Sequence, residues 1–320
     1  MDRPQIVNRF MFYWFVFSIT MQFVFAGLVL GAGWRPSAWM MVIFSQAIII
    51  GVPCAVYLWT HRGSIKEILP LRRLGIKNTM LVVGMSVAIF PLGLIINAIM
   101  LSFFGNPLEA TTEGLMAEGG LWLMLALITI LPSIFEEVML RGIVFAGYKR
   151  VKIFVTALVN GLFFGLIHQN FVQFSYAFLL GFFMCYFAYY TKSIWAPVLR
   201  RFVIKTVGVM VGYFATSLPS SSQSVGYYAH HTTPMQDIIT LIAVFGIIAL
   251  LFGGTFAVLF QIFKKHNLQR NQASGVVTDT YAEAVQRGEN QPKVLTRGFW
   301  AFVAATLSWM TLIEITSRMV

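Results

Sequence analysis

The chain is 320 residues long, 58% apolar and 15% aromatic, with only 11% charged residues, and its mean hydropathy is +0.75. Soluble domains average about 25% charged residues, so this composition excludes a soluble globular protein and points to an integral membrane protein. The formal charge of +11 does not indicate a nucleic-acid partner, because the basic residues sit in particular loops between apolar runs, the pattern of membrane topology.

Apolar runs cover roughly 10–32, 38–60, 79–103, 119–147, 153–168, 171–190, 194–216, 236–262 and 299–316. At ~20 residues per crossing they predict an all-α, polytopic transmembrane helical bundle of about eight or nine spans. Arg3 and Arg9 precede the first run, which exceeds the ~7–15-residue core of a signal peptide and reads as a retained span. Arg62, Lys66, Arg72, Arg73 and Lys77 follow the second run. Lys149, Arg150 and Lys152 follow the fourth, Lys192 the sixth, and Lys264, Lys265, Arg270, Arg287, Lys293 and Arg297 the eighth. The opposite side holds Arg35 and the C-terminal Arg318. The positive-inside rule therefore predicts a cytoplasmic N-terminus.

The segment 105–120 carries Glu109, Glu113 and Glu118 and reads as an outer loop, as does the polar 217–234 with its solvated His230-His231 pair. Segment 62–78 mixes basic residues with Ile65, Ile68, Leu69, Leu71, Leu74 and Ile76, and is expected to lie at the cytoplasmic interface. Residues 264–297 form the longest polar stretch and are expected to be a mobile loop. The organisation expected is N-terminal spans over 1–118, a core over 119–216, and C-terminal spans over 217–320. Cys54 and Cys185 fall inside apolar runs and read as small buried hydrophobes. No internal repeat is visible, which disfavours transporters built from duplicated halves.

The chemistry-bearing residues lie within the core runs. Glu136, Glu137 and Arg141 interrupt an apolar run, where an isolated charge costs several kcal/mol. Glu137 and Arg141 share a helical face at i, i+4. Glu136 points about 100° away and lacks that partner, so it is left as the carboxylate able to take a proton from water. His168 follows Phe164 by one turn, and Gly161 and Gly165 allow a neighbouring helix to approach. Arg201 and Lys205 share a face on the seventh run, while Arg200 is near enough to the cytoplasmic loop to snorkel.

Glu136-Glu137-x-x-x-Arg141 followed by Phe164-x-x-x-His168 resembles the first two motifs of the CAAX-protease and bacteriocin-processing (CPBP, or Abi) membrane proteins. The stretch from Asn170 to Pro197, with Gly181 and Thr191-Lys192-Ser193-Ile194-Trp195-Ala196-Pro197, is also similar to that family. The resemblance covers about residues 119–216. It implies that Glu136 activates water, that Glu137 and Arg141 order it, and that His168 is a second acid/base group. The family's third motif, His-x-x-x-Asn, binds the developing oxyanion. Here its positions are Arg201 and Lys205. Those side chains are hydrogen-bond donors, but their charges are also able to pair with Glu136 and Glu137 and silence the base.

The expected function is an intramembrane glutamate-type endopeptidase acting on a membrane-associated peptide or protein, without a cofactor. Two alternatives stand beside it. One is an inactive scaffold or regulator of a partner membrane or cell-envelope protein. The other is a proton-coupled transporter using Glu136, Glu137 and His168 as a relay. A metal site would need a further histidine or cysteine. The expected surroundings are membrane lipid, in the plasma membrane of a bacterium.

Overall fold

The computed structural model describes residues 3–62, 65–104, 109–217, 235–277 and 279–319. It is all-α. Helix α1 spans Arg3–Gly31, α2 Ala38–Thr60, α3 Ile65–Ile68, α4 Ile76–Phe104 and α5 Glu118–Gly147. Then come α6 Ile153–Leu166, α7 Phe171–Thr191, α8 Trp195–Ser217, α9 Met235–Ala273, α10 Thr280–Gln286 and α11 Arg297–Met319. Each apolar run of the sequence is thus helical. Among the described residues six helices are long and apolar enough to cross a membrane: α1, α2, α4, α5, α7 and α11, with α11 counted from Arg297 to Arg318. The shorter α6 is equally apolar.

Two of the crossing helices widen locally to π geometry just before a proline. Phe44–Gly51 precedes Pro53, and Leu125–Ile130 precedes Pro132. A proline has no N–H to give the carbonyl four residues back, and its ring crowds that carbonyl. Those carbonyls belong to Ile49 and Ile128, inside the two widened segments. The Ile49 carbonyl accepts instead from the indole Nε1 of Trp14 at 3.0 Å, so a defect in α2 becomes a contact with α1. A third π segment, Val138–Val144, carries Arg141. It has no proline, and we have no physical account of it beyond the frequency of such segments at functional sites.

Helices α6 and α7 pack closely along their lengths. A Cβ built on Gly161 would lie 2.7 Å from the Phe178 carbonyl oxygen and 3.1 Å from the Phe182 nitrogen. One built on Gly181 would lie 2.8 Å from the Phe164 Cβ. These atoms are backbone or the root of a side chain and cannot move aside. Gly161→Ala is expected to cost about 1–3 kcal/mol as overpacking. Gly93→Ala, where nothing lies within 4 Å, is expected to leave stability unchanged or raised by up to about 1 kcal/mol. Thermal unfolding of the two variants in detergent checks the contrast.

The segment 264–297 is only in part a loop. Helix α9 runs unbroken to Ala273, and α10 follows. Some of the segment's polar residues dock on the bundle, while others, among them Lys265, Gln269, Gln272, Gln286 and Arg287, are exposed. Asn267 and Asn78 exchange two amide hydrogen bonds, of 3.0 and 2.8 Å, between α9 and α4, and both are fully buried. Asn271 donates to the Tyr190 carbonyl at 2.8 Å and accepts from Arg72 at 2.6 Å. The helical part differs from the expectation because Asn267 and Asn271, polar in composition, are buried against partners on other elements. Segment 62–78 contains the four-residue α3 and then an extended stretch. Leu71 pairs with Ser193 in one antiparallel bridge, and Ile194 N–H donates to the Pro70 carbonyl at 2.9 Å. The expected loop 105–120 is helical from Glu109, with a break at Gly120 (φ 61°, ψ −158°). His230 and His231 lie outside the described residues.

Candidate active site

Glu136 and Glu137 sit mid-way along α5 and are buried together with Arg141. The i, i+4 spacing places Arg141 Nη1 3.0 Å from Glu137 Oε1. The second arm of the guanidinium, Nη2, donates to the Gly181 carbonyl at 2.9 Å. Arg141 therefore ties α5 to α7 at the point where Gly181 lets α6 approach. Its guanidinium carbon also lies 4.8 Å from the centre of the Phe164 ring.

Glu136 is not unpaired, contrary to the expectation from α5 alone. Arg201 on α8 donates from Nη2 to Glu136 Oε2. Its other terminal nitrogen, Nη1, is 3.6 Å from Glu137 Oε1. Arg201 lies against the same Phe164 ring as Arg141, with its guanidinium carbon 4.5 Å from the ring centre. Phe164 thus supports two guanidiniums, Arg141 paired with Glu137 and Arg201 set against both carboxylates. Spacing along α5 alone does not supply this partner; it is the pairing with Arg201 that the sequence left open as one of two roles for that residue.

His168 lies in the turn that ends α6. Its Nδ1 is 2.8 Å from the Phe164 carbonyl oxygen. A carbonyl only accepts, so Nδ1 carries the hydrogen and Nε2 is left with its lone pair when the ring is neutral. Nε2 faces Glu136 Oε2 at 3.8 Å. That gap is too long for a direct hydrogen bond and suits one water bonded to both. The turn is held by Asn170, whose Oδ1 accepts from Gln173 N–H at 2.8 Å as the cap of α7 and whose Nδ2 donates to the His168 carbonyl at 2.8 Å. Between them Gln169 adopts a left-handed conformation, φ 55°. A non-glycine residue in that region, beside His168, is a place where strain is held by its surroundings.

Lys205, one turn beyond Arg201 on α8, is close enough to interact electrostatically with Glu136, Glu137 and Arg201. Arg200 does not snorkel. It is fully buried, donates from Nη1 to the Leu180 carbonyl at 3.3 Å and packs 5.1 Å from the Phe187 ring. Glu314, the other acid within a span, pairs with Arg318 at 2.6 Å and takes no part. Among the described residues no three His, Cys, Asp or Glu side chains are placed to hold a metal ion.

Glu136 and His168 open onto a cavity of about 530 Å³, within the range of small-ligand and peptide pockets. Glu137, Arg141, Arg201 and Lys205 are not part of its wall. Most of the wall comes from α1 and α2, through residues such as Trp14, Gln22, Phe44 and Gln46, and from Gln169 and Gln173 beside the histidine. None of these was singled out from the sequence. The available signal was the set of glutamines at 22, 46, 169 and 173 within or beside apolar runs, each costly in lipid unless turned inward.

Residues 118–207 match the family described as Type II CAAX prenyl endopeptidase Rce1-like, a stretch that contains both glutamates, Arg141, His168, Arg201 and Lys205. The match covers under a third of the chain. No curated protein and no solved structure matches the chain. The arrangement of an acid pair on α5, a histidine after α6 and cations on α8 falls wholly within the matched residues, and the surrounding helices have the length and composition of membrane spans. Residues 118–207 are therefore similar to the Rce1-like CAAX prenyl endopeptidase family, within a polytopic helical membrane protein.

Proposed function

We propose that the protein is an intramembrane glutamate-type endopeptidase of the CPBP type, cleaving a membrane-associated peptide or protein. The observation that supports this reading best is the 3.8 Å approach of Glu136 Oε2 and His168 Nε2 at the wall of the cavity. A water between them has two acceptors, one of which takes its proton as the oxygen attacks the scissile carbonyl carbon. The carbonyl π electrons move to oxygen, forming an oxyanion. The positive charge of Arg201, with Lys205 beyond it, offsets that charge in a site of low dielectric. Collapse of the intermediate breaks the C–N bond, and the proton passes from Glu136, or by way of His168, to the leaving amine. Arg141 and Glu137 act through Glu136 and are positioning residues.

A second reading is favoured by one contact. Arg201 is bonded to the same Oε2 that faces His168, so the cation competes with the proton that Glu136 must accept. On that reading the domain is an inactive scaffold for a partner membrane or cell-envelope protein. The span count of eight or nine, with a cytoplasmic N-terminus in a bacterial plasma membrane, belongs with either reading.

Full-length protein reconstituted in liposomes, incubated with a farnesylated peptide ending in a CAAX sequence and with non-prenylated membrane peptides, separates the two. Product peptides detected by mass spectrometry in the parent and absent in Glu136→Gln support the peptidase. An inert parent, identical to Glu136→Gln on every peptide, leaves the scaffold.

A further inference from the structure

Helix α6 ends at Leu166 and α7 begins at Phe171, so the chain reverses between them over residues Ile167 to Asn170. His168 sits in that reversal. The left-handed residue that makes it so short is Gln169, at φ 55°. That region penalises any residue with a Cβ and is the natural place for a glycine. A glutamine there is disfavoured by its own backbone, and contacts from elsewhere have to hold it.

Those contacts come from α1. Ser18 and Gln22 are i and i+4 and share a face. Ser18 Oγ donates to the Phe15 carbonyl at 2.8 Å, so toward Gln169 it is an acceptor. This fixes the orientation of the Gln169 amide. Nε2 donates to Ser18 Oγ at 2.9 Å, and Oε1 accepts from Gln22 Nε2 at 3.0 Å. Both polar atoms of the Gln169 side chain are thus bonded to α1. Ser18 itself is fully buried and is not part of the cavity wall.

The neighbour of Gln169 is the residue that needs accurate placement. His168 Nε2 stands 3.8 Å from Glu136 Oε2, and its ring is anchored through Nδ1 to the Phe164 carbonyl. The His168 carbonyl in turn accepts from Asn170 Nδ2 at 2.8 Å, across Gln169. If Gln169 relaxed to an ordinary φ, that bond would break or α7 would swing away from α6. Either way the end of α6 that carries His168 would shift.

We propose that Ser18 and Gln22 of α1 act through Gln169 as positioning residues for His168, setting the gap to Glu136 in which the attacking water sits. The effect on rate rests on the peptidase reading, but the placement of His168 is measurable without it. Ser18 and Gln22 lie outside residues 118–207, so α1 is a working part of the site.

The test has two readouts on the full-length protein. The first is the nitrogen NMR spectrum of histidine-labelled protein in micelles at about pH 8, where an ordinary imidazole is neutral. The His168 signals are those absent from His168→Gln. The parent is expected to show one tautomer, with the hydrogen on Nδ1. Ser18→Ala and Gln169→Leu should lose that single form and show both tautomers. Gln169→Gly, for which φ 55° carries no penalty, should restore more of the parent form than Gln169→Leu. Gln22→Met is the further variant should Ser18→Ala not elute as a single species.

The second readout is steady-state cleavage of a farnesylated CAAX-terminated peptide in liposomes. Ser18→Ala should lower kcat by about 10–10²-fold, the range for a small misplacement of a catalytic group. KM should stay within about twofold, because Ser18 does not reach the cavity. Gln169→Leu should fall as far, and adding Ser18→Ala to it should cost nothing more, as expected of residues that act as a unit. A single parent-like tautomer in Ser18→Ala and Gln169→Leu overturns the proposal. So do two tautomers already present in the parent, additive losses in the double variant, or an unchanged kcat in Ser18→Ala when the parent cleaves. A parent that cleaves nothing, but whose His168 tautomer still depends on Ser18 and Gln169, contradicts the peptidase reading and leaves the positioning of His168 standing.

Discussion

Glu136→Gln is expected to lower the rate of peptide cleavage by about 10²–10⁴-fold, the range for removing a general base. The substitution is a narrow one. Gln has the size of Glu, and its Oε1 can still accept from Arg201, so the tie between α5 and α8 is retained. What is lost is the ability to take a proton from water. Loss of the carboxylate charge beside buried Arg201 should lower stability, though by less than removing the side chain would, while turnover falls with the peptide dissociation constant nearly unchanged. His168→Gln in the same assay is informative by contrast, since His168 Nδ1 is anchored to the Phe164 carbonyl at 2.8 Å and its loss removes only the second acceptor. A fall in stability equal to the fall in activity would show that Glu136 is structural.

Arg141→Met is expected to produce the largest loss of stability. Arg141 is almost fully buried, and so is Glu137, its partner at 3.0 Å. Removing one member of such a pair typically costs about 3–5 kcal/mol, because it leaves the other charge buried and less compensated. The loss extends to the Gly181 carbonyl, which would forfeit its donor on α5. Arg201 Nη1, 3.6 Å from Glu137 Oε1, compensates only in part. Pairing Arg141→Met with Glu137→Met removes the stranded carboxylate and should restore part of the stability, since coupled neighbours are not additive. Denaturant titrations in mixed micelles give the comparison. A double variant less stable than Arg141→Met by the full cost of a second core substitution would mean that the pair is not coupled.

Those two effects also mark how far the sequence could be read. The Glu137–Arg141 pair was legible because both residues are on one helix, where spacing alone fixes the shared face. Phe164 and His168 were legible for the same reason, and the need of buried cations for carboxylates pointed α8 toward α5. The pairing of Arg201 with Glu136 was not legible in detail, since it depends on how α8 is rotated against α5. Nor was the cavity wall. Trp14, Phe44 and Gln46 come from helices whose apolar pattern shows no narrow stripe, so nothing in the sequence distinguished their lipid-facing from their inward residues. The prolines at 53 and 132 were visible, but the widened turns before them and the indole that answers Ile49 follow from packing. The docking of α9 was missed because Asn267 and Asn271 look like loop residues until Asn78 and Tyr190 are placed opposite them.

Whether Glu136, with Arg201 bonded to it, still activates water separates a peptidase from a scaffold. The measurement that decides it is cleavage of the farnesylated CAAX-terminated peptide in liposomes by four proteins: the parent, Glu136→Gln, the double variant Arg201→His with Lys205→Asn, and that double variant with Glu136→Gln added. The prediction is that the parent cleaves, that Arg201→His with Lys205→Asn also cleaves, and that both lose cleavage when Glu136 is replaced. Cleavage by the double variant but not by the parent would show that Arg201 and Lys205 silence the site. Failure of all four proteins on every membrane peptide, or cleavage that persists without Glu136, would contradict the peptidase account.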